Sequence, residues 1–107
     1  MAKNTWFTSD THFFHDNIIR YCNRPFKNSL EMNNALIKNW NDLVGKDDII
    51  YHLGDFSFGK DKKTNIPDLV SKLNGKIHLI LGNHDKLDST NFTMQFYYDA
   101  GFYRVYD

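Results

Sequence analysis

The sequence has few of the features that mark secreted or membrane proteins. Cys22 is its only cysteine, which excludes an internal disulfide framework and a zinc site built from several thiolates. No apolar run approaches the roughly 20 residues that a membrane-spanning helix needs. The stretch Met1–Asn4 leads directly into a strand-like run and does not resemble a signal peptide. These absences predict a cytoplasmic protein that has no membrane partner.

An excess of charge of either sign is also missing. The 13 basic side chains balance the 13 acidic ones, so no overall field attracts nucleic acid or an anionic surface. The short basic run Lys60–Lys63 is interrupted by Asp61, which is typical of a solvated loop. We therefore expect nucleic acid or a nucleotide to meet this chain only as a substrate. The abundant residues are aromatic, with nine Phe and six Tyr, and they indicate a folded core.

Strand-like and helix-like segments alternate along the chain. Short apolar runs predict strands, and apolar residues at helical spacing predict helices between them. This order predicts one α/β domain with a mainly parallel sheet flanked by helices. The predicted strands cover residues 4–9, 49–53, 77–81 and 102–106, and the predicted helices cover 16–22 (capped by Asp16), 29–44 (capped by Ser29), 67–73 and 89–99 (capped by Ser89 or Thr90), with a polar loop over 56–66.

Polar side chains follow three of the predicted strands, at the point where each strand ends. Because the carboxyl ends of parallel strands meet at one edge of a sheet, we expect these side chains to converge. Each motif alone also fits an ordinary turn, since Gly, Asn and Asp are common there. Three such motifs in succession favour a shared site. The groups are Asp10 and His12 after the first strand, Asp55 after the second, and Asn83, His84 and Asp85 after the third.

Carboxylates, imidazoles and an amide form a ligand set that suits Mn, Fe, Zn or Mg. A carboxylate from the middle strand, Asp55, is placed to bridge two ions. Two ions about 3.5–4 Å apart form a known clamp for in-line phosphoryl displacement. His84 is then available as the general acid for the leaving group, and Asp85 is predicted to hold its imidazole.

These motifs and their surroundings resemble the calcineurin-like metallophosphoesterase superfamily, in particular small phosphoesterases of bacteria and their phages. The resemblance covers nearly the whole chain. It implies the first half of an αββα sandwich and a phosphoesterase, acting on phosphodiesters, in which a metal-bridging hydroxide attacks phosphorus. The segments that carry the resemblance are Phe7–Phe13, Asn17–Ile19, Arg24–Phe26, Asn39–Asn41, Tyr51–Phe56 and Gly82–Asp85.

The resemblance also implies roles for individual residues. Asp10 and His12 would bind the first ion, Asp55 would bridge, and Asn83 would bind the second ion. His84 would protonate the leaving group with the support of Asp85. Manganese is the ion such enzymes usually use, with iron, zinc or nickel as substitutes. His15, on the loop of the first motif, is expected to contact either a metal ligand or the substrate. Arg24, like Arg20, is a candidate phosphate contact, with a surface salt bridge as the alternative.

The chain departs from the family pattern after its third motif. The family has two further motifs, a lone histidine and a Gly-His-x-His, whereas no histidine follows His84. We therefore expect residues 1–107 to form a single domain that corresponds to the N-terminal part of the family fold. Two ions, one ion or none remain as alternatives. His52 and His78 lie inside predicted strands and are expected to face the sheet packing or a neighbouring layer.

The same departure gives an alternative function. A shortened fold leaves sheet surface or an unpaired edge exposed, and exposed sheet favours association. The alternative is a non-catalytic interaction protein that uses this surface to bind a second copy or a complementing chain.

Overall fold

The computed structural model describes residues 3–58, 61–87 and 89–107, and the side chains of all of these except 90 and 91. Its described strands form one sheet in the order β1-β2-β3-β4, and each neighbouring pair is parallel. This arrangement confirms the predicted α/β class. The strands are β1 (Thr5–Thr8), β2 (Ile49–His52), β3 (Lys76–Ile80) and β4 (Arg104–Tyr106).

Helices connect the strands, and two of their predicted caps were wrong. Asn28, not Ser29, caps the second helix, because its side chain accepts a 2.9 Å hydrogen bond from the Glu31 N–H. The first helix begins at Asp16, whose carboxylate instead accepts from the Ser29 N–H at 2.7 Å and so ties two helices together. Ser89 caps the last helix as predicted. The helices are α1 (Asp16–Tyr21), α2 (Ser29–Leu43), α3 (Lys62–Ser71) and α4 (Thr90–Ala100).

The start of α3 differs from the prediction as well. We expected a polar loop up to residue 66 and a helix from Pro67, whereas the helix begins at Lys62 and contains Pro67. Proline removes one hydrogen-bond donor from the helix interior. The turn before it is held because the Asn65 N–H donates to the Asp61 carbonyl at 2.9 Å and because the Ile66 side chain is fully buried. Burying such a side chain contributes about 1.5–3 kcal/mol, which offsets the lost donor.

The hydrophobic core lies between the helices and one face of the sheet. Ile50, Ile77 and Leu79 point to this face from the central strands and are buried. They pack in one cluster with helix side chains such as Trp40 and Leu69. No helix within the described residues is long and apolar enough to cross a bilayer. The core therefore fixes the sheet, and the strand ends project from it at one edge.

The opposite face of the sheet carries exposed apolar side chains, which is one of the two outcomes expected above, although His78 on this face is buried. Phe7, Tyr51 and His78 lie side by side on it, with ring centroids 5.4 Å and 4.5 Å apart. The Phe7 side chain is 69% exposed, and Ile80 and Tyr106 at the far strands are also exposed. We call the surface made by Phe7, Tyr51, His78, Ile80 and Tyr106 the aromatic face.

Candidate metal centre

The loops that follow β1 and β2 run alongside each other beyond the sheet. The Asp10 N–H donates to the Gly54 carbonyl at 2.9 Å, and the His12 N–H donates to the Asp55 carbonyl at 3.1 Å. These bonds continue the pairing of the two strands into their loops. They bring the first and second predicted motifs to the same edge of the sheet.

Three predicted ligands converge at this edge. One ligand atom each of Asp10, His12 and Asp55 lies within 4.8 Å of the other two. The His12 Nε2 atom is 3.7 Å from Asp10 Oδ1 and 3.9 Å from Asp55 Oδ2. Two ligands bound at about 2.1 Å to one ion are roughly 3–4 Å apart. The three side chains therefore fit a divalent ion between them. The pKa of Asp10 is lowered by its hydrogen bond from Ser9 and by nearby His12, which keeps this ligand ionised.

All three converging ligands have left-handed backbone conformations. The φ angles of Asp10, His12 and Asp55 are 53°, 52° and 55°. Such conformations in residues other than glycine are of the order of 1–3 kcal/mol unfavourable each and concentrate at functional sites. The fold must therefore stabilise these loops through contacts elsewhere.

Arg24 provides one such contact. Its guanidinium donates to the Asp10 carbonyl at 2.7 Å and to the Thr11 carbonyl at 2.8 Å. We predicted Arg24 as a substrate contact, but the structure directs its side chain to the main chain of the strained loop. Arg24 thus supports the loop that carries two of the candidate ligands, and a lysine could not contact both carbonyls in the same planar geometry.

His15 and His84 lie beside the cluster. The His15 Nδ1 atom is 3.0 Å from His12 Nδ1, so this predicted substrate contact touches a candidate metal ligand. Burial and the charges of His12 and His84 lower the pKa of His15. The exposed His84 ring lies 5.6 Å from the His12 ring and 5.2 Å from the Phe58 ring, measured between centroids.

The third loop is joined to the second through Asp55. The Asp55 Oδ1 atom accepts a 3.1 Å hydrogen bond from the His84 N–H. Gly82 permits this approach, because a Cβ atom there would lie only 2.6 Å from Asp55 Oδ1. Asn83 is exposed at the start of the short 3-10 turn Asn83–Asp85. Its amide makes no hydrogen bond with the described part of the chain, so its place as a ligand stays a prediction.

Asp85 does not have the predicted role of holding the His84 imidazole. Its buried carboxylate accepts three main-chain hydrogen bonds of 2.8 Å, from the N–H groups of Asp55, Phe56 and Gly82. The 3-10 turn directs this side chain back toward its own start and into the loop after β2. Burial raises the pKa of Asp85, and the three hydrogen bonds and the charge of Lys62 oppose that increase. Asp85 therefore holds two site loops together.

His52, the last residue of β2, is hydrogen-bonded to the loops after β1 and β2. Its Nδ1 atom accepts from the Gly54 N–H at 3.2 Å, so the neutral ring carries its proton on Nε2. Nε2 then donates to the Thr11 hydroxyl at 3.0 Å, which donates to the Phe56 carbonyl at 2.7 Å. Burial lowers the pKa of His52 to about 4, although Asp10 and Asp55 oppose the change.

This buried histidine predicts a loss of stability at acid pH. The folded pKa of about 4 lies below the ordinary value of 6.5, so the stabilisation by neutral His52 is complete above pH 6.5 and is lost as the pH falls toward 4. The gap corresponds to about 3 kcal/mol. In urea titrations at pH 7.5 and 4.5, we expect wild type to lose about 2–3 kcal/mol more unfolding free energy than His52→Gln. Parallel losses in the two proteins would contradict this account.

Lys62 is the site residue that the sequence analysis missed. The sequence pattern predicts that Lys62 lies in a solvated loop. In the structure its side chain is half-buried, and its Nζ donates to the His84 carbonyl. Burial lowers the pKa of Lys62, and Asp85 and Asp55 oppose the change. A lysine in the first turn of a helix is opposed by the helix dipole. A lysine at this unfavourable position indicates a specific role, but the position can be recognised only when the start of α3 is known.

Strand-end loops that gather two aspartates and a histidine around one point define a candidate metalloprotein of the α/β class. The chain belongs to the calcineurin-like phosphoesterase family, because the model of that family matches residues 3–107.

Several proteins are similar to this chain over about half of their own length or less. Uncharacterized protein MJ1445 of Methanocaldococcus jannaschii is 54% identical over 84 residues, which are 78% of this chain and 48% of that protein. The gene 66 protein of Mycobacterium phage L5 is 42% identical over 85 residues, 78% of this chain and 40% of its own. A crystal structure of the Aquifex aeolicus protein of unknown function AQ665 matches with a TM-score of 0.72 at 30% identity, covering 99% of this chain and 52% of the other.

Proposed function

We propose that this chain is a metal-dependent phosphoesterase that acts on phosphodiesters. The observation that carries the proposal is the Asp10–His12–Asp55 cluster in a chain that matches the calcineurin-like phosphoesterase family. Carboxylate and imidazole ligands suit a divalent ion of borderline hardness, with Mn²⁺ as the first candidate and Fe, Zn or Ni as alternatives. When bound, such an ion would polarise the phosphoryl group and lower the pKa of a bound water.

The residues divide this work between them. Asp10 and His12 would hold the first ion and Asp55 would face both, while Asn83 would contribute an amide oxygen to the second. With these ligands in fixed positions, the site would orient a phosphoryl group relative to the attacking water, which would lower the entropic part of the barrier. Two ions are the arrangement we propose for the complete site.

His84 is the proposed general acid. Its exposed ring lies next to that of His12 at a centroid distance of 5.6 Å. Its main chain is fixed on both sides, since Asp55 accepts from its N–H and Lys62 donates to its carbonyl. An imidazole on a main chain fixed in this way could donate a proton to the leaving-group oxygen as the phosphorus–oxygen bond breaks.

The first test of the proposal is hydrolysis of bis-(p-nitrophenyl) phosphate with Mn²⁺, and after metal removal with EDTA. We expect turnover that EDTA abolishes and Mn²⁺ restores, together with bound metal detected by elemental analysis. A folded sample that binds no metal and releases no nitrophenolate would refute the proposal.

The role of His84 predicts a dependence on the leaving group. Nitrophenolate needs little protonation, whereas an alkoxide leaves poorly without a proton. We expect His84→Ala to lower kcat on an alkyl phosphodiester by about 10²–10⁴, and to lower kcat on the nitrophenyl ester much less. Comparing both substrates in one preparation controls for misfolded protein. Equal losses on the two esters would argue against the general-acid assignment.

The aromatic face favours a second candidate function. Its exposed Phe7, Ile80 and Tyr106 side chains would be buried if a second copy or a complementing chain packed on the sheet. In this alternative the chain is a non-catalytic interaction protein. Sedimentation velocity over a range of concentrations, with Phe7→Ser as the comparison, distinguishes the two. Self-association that Phe7→Ser removes, in protein without turnover, would favour the alternative.

A further inference from the structure

The pairing of His12 with His15 places a constraint on where protons can lie. The two Nδ1 atoms are 3.0 Å apart, which is a hydrogen-bond distance, so only one of them carries the shared proton. The other nitrogen of His12, Nε2, faces the Asp10 and Asp55 carboxylates at 3.7 Å and 3.9 Å. Nε2 is therefore the atom that an ion in the cluster would meet.

Ligation at Nε2 decides the direction of the hydrogen bond. A neutral imidazole has one N–H and one lone pair, and a metal takes the lone pair. The proton of a ligating His12 must then lie on Nδ1 and be donated to His15. His15 accepts with its own Nδ1 lone pair and keeps its proton on Nε2.

The surroundings of His15 hold its ring in the accepting position. The side chain is only 8% exposed, and its ring stacks on that of Phe58 with centroids 4.0 Å apart. The His15 N–H also donates to the His12 carbonyl at 3.1 Å, so the main chain fixes the same pair. Metal-binding histidines generally donate their second N–H to a fixed acceptor, and loss of that acceptor typically weakens metal affinity by 10–100-fold.

We propose that His15 is a positioning residue that sets the tautomer of His12. By accepting the Nδ1 proton it leaves the Nε2 lone pair free for the ion and fixes the plane of the ring. This inference deepens the proposed function and rests on it, because it assumes that His12 is a metal ligand.

Two substitutions distinguish the contribution of the His15 hydrogen-bond acceptor from that of its ring shape. His15→Asn keeps an oxygen acceptor near the position of Nδ1, whereas His15→Phe keeps a ring that can stack on Phe58 and removes the acceptor. His78→Phe makes the same exchange on the aromatic face, away from the cluster, and is the matched control. Zn²⁺ is the probe, because it is diamagnetic and suits the same ligands.

The readouts are Zn²⁺ affinity by calorimetry and the ¹⁵N chemical shifts of the His12 ring with Zn²⁺ bound. We expect His15→Phe to bind about 10–100-fold more weakly, His15→Asn to recover most of the affinity, and His78→Phe to match wild type. The Zn²⁺-loaded wild type should show the His12 proton on Nδ1. The inference would be overturned if folded His15→Phe bound Zn²⁺ with wild-type affinity. It would also be overturned if the His12 proton lay on Nε2 in the Zn²⁺-loaded protein.

Failure of this inference and failure of the proposed function are distinguishable. Zn²⁺ binding that does not depend on His15 overturns the inference alone. Zn²⁺ binding that depends on His15, without hydrolysis of phosphodiesters, overturns the function and supports the inference. A folded wild type that binds neither Zn²⁺ nor Mn²⁺ and releases no nitrophenolate overturns both. Circular dichroism of each variant confirms that it is folded.

Discussion

Replacing Asp55 by asparagine is expected to abolish Mn²⁺-dependent hydrolysis of bis-(p-nitrophenyl) phosphate, with a loss on the order of 10³-fold or more. Asparagine has nearly the shape of aspartate, so the fold should be retained. It lacks the negative charge and offers one oxygen in place of two. Asp55 uses both oxygens, since Oδ2 faces His12 at 3.9 Å and Oδ1 accepts from the His84 N–H at 3.1 Å.

The same exchange at Asp42 is the matched control. Asp42 is exposed and pairs with Lys38 on the surface of α2, where an ion pair contributes little. We expect Asp42→Asn to keep wild-type turnover and metal content. If Asp55→Asn keeps more than about a tenth of wild-type turnover with Mn²⁺, Asp55 is not the shared ligand.

Replacing Asp85 by alanine is expected to have the largest effect on stability. Three main-chain N–H groups lose the only carboxylate they share, and a buried donor without a partner is strongly unfavourable. We expect the free energy of unfolding to fall by about 3–5 kcal/mol, which is a large fraction of the total for a domain of this size. Urea unfolding followed by circular dichroism measures this loss.

Two comparisons show whether Asp85 acts through structure. Asp68→Ala removes an exposed aspartate that pairs with Lys72 on α3, and it should change the unfolding free energy by less than about 1 kcal/mol. Asp85→Asn keeps one acceptor oxygen and should fall between wild type and Asp85→Ala. If Asp85→Ala is as stable as wild type but has low turnover, the original prediction that Asp85 serves the His84 ring would be restored.

The convergence of three loops could be predicted because its causes are local. Short apolar runs that end in polar residues indicate strand ends, and parallel strands bring their carboxyl ends together. Asp10, His12 and Asp55 meet as expected for that reason. Exposed sheet surface was expected from the family resemblance, with an unpaired edge as the alternative, but the residues that form the aromatic face were not predicted.

The contacts that hold the site depend on residues distant in the chain, and the sequence could not supply them. The carboxylate of Asp85 meets the N–H groups of Asp55 and Phe56, about 30 positions earlier. The left-handed loop after β1 also depends on a residue farther along the chain, because Arg24 donates to the Asp10 and Thr11 carbonyls. The start of α3 at Lys62 was mispredicted for a different reason. Proline usually lies in the first turn of a helix, but Pro67 lies inside this one, and the burial of Ile66 stabilises the turn before it.

Two hydrogen bonds of Asp55 connect this proposed shared ligand to the turn that carries His84, the proposed proton donor. Its carboxylate accepts from the His84 N–H, and its own N–H donates to Asp85 in the same turn. An ion bound by Asp55 that displaced its side chain would therefore also displace the main chain of His84. The ionic radius would then affect the distance between the His84 ring and the leaving group. Turnover with Mn²⁺, Zn²⁺ and Ni²⁺ should therefore differ most for esters whose leaving group needs a proton.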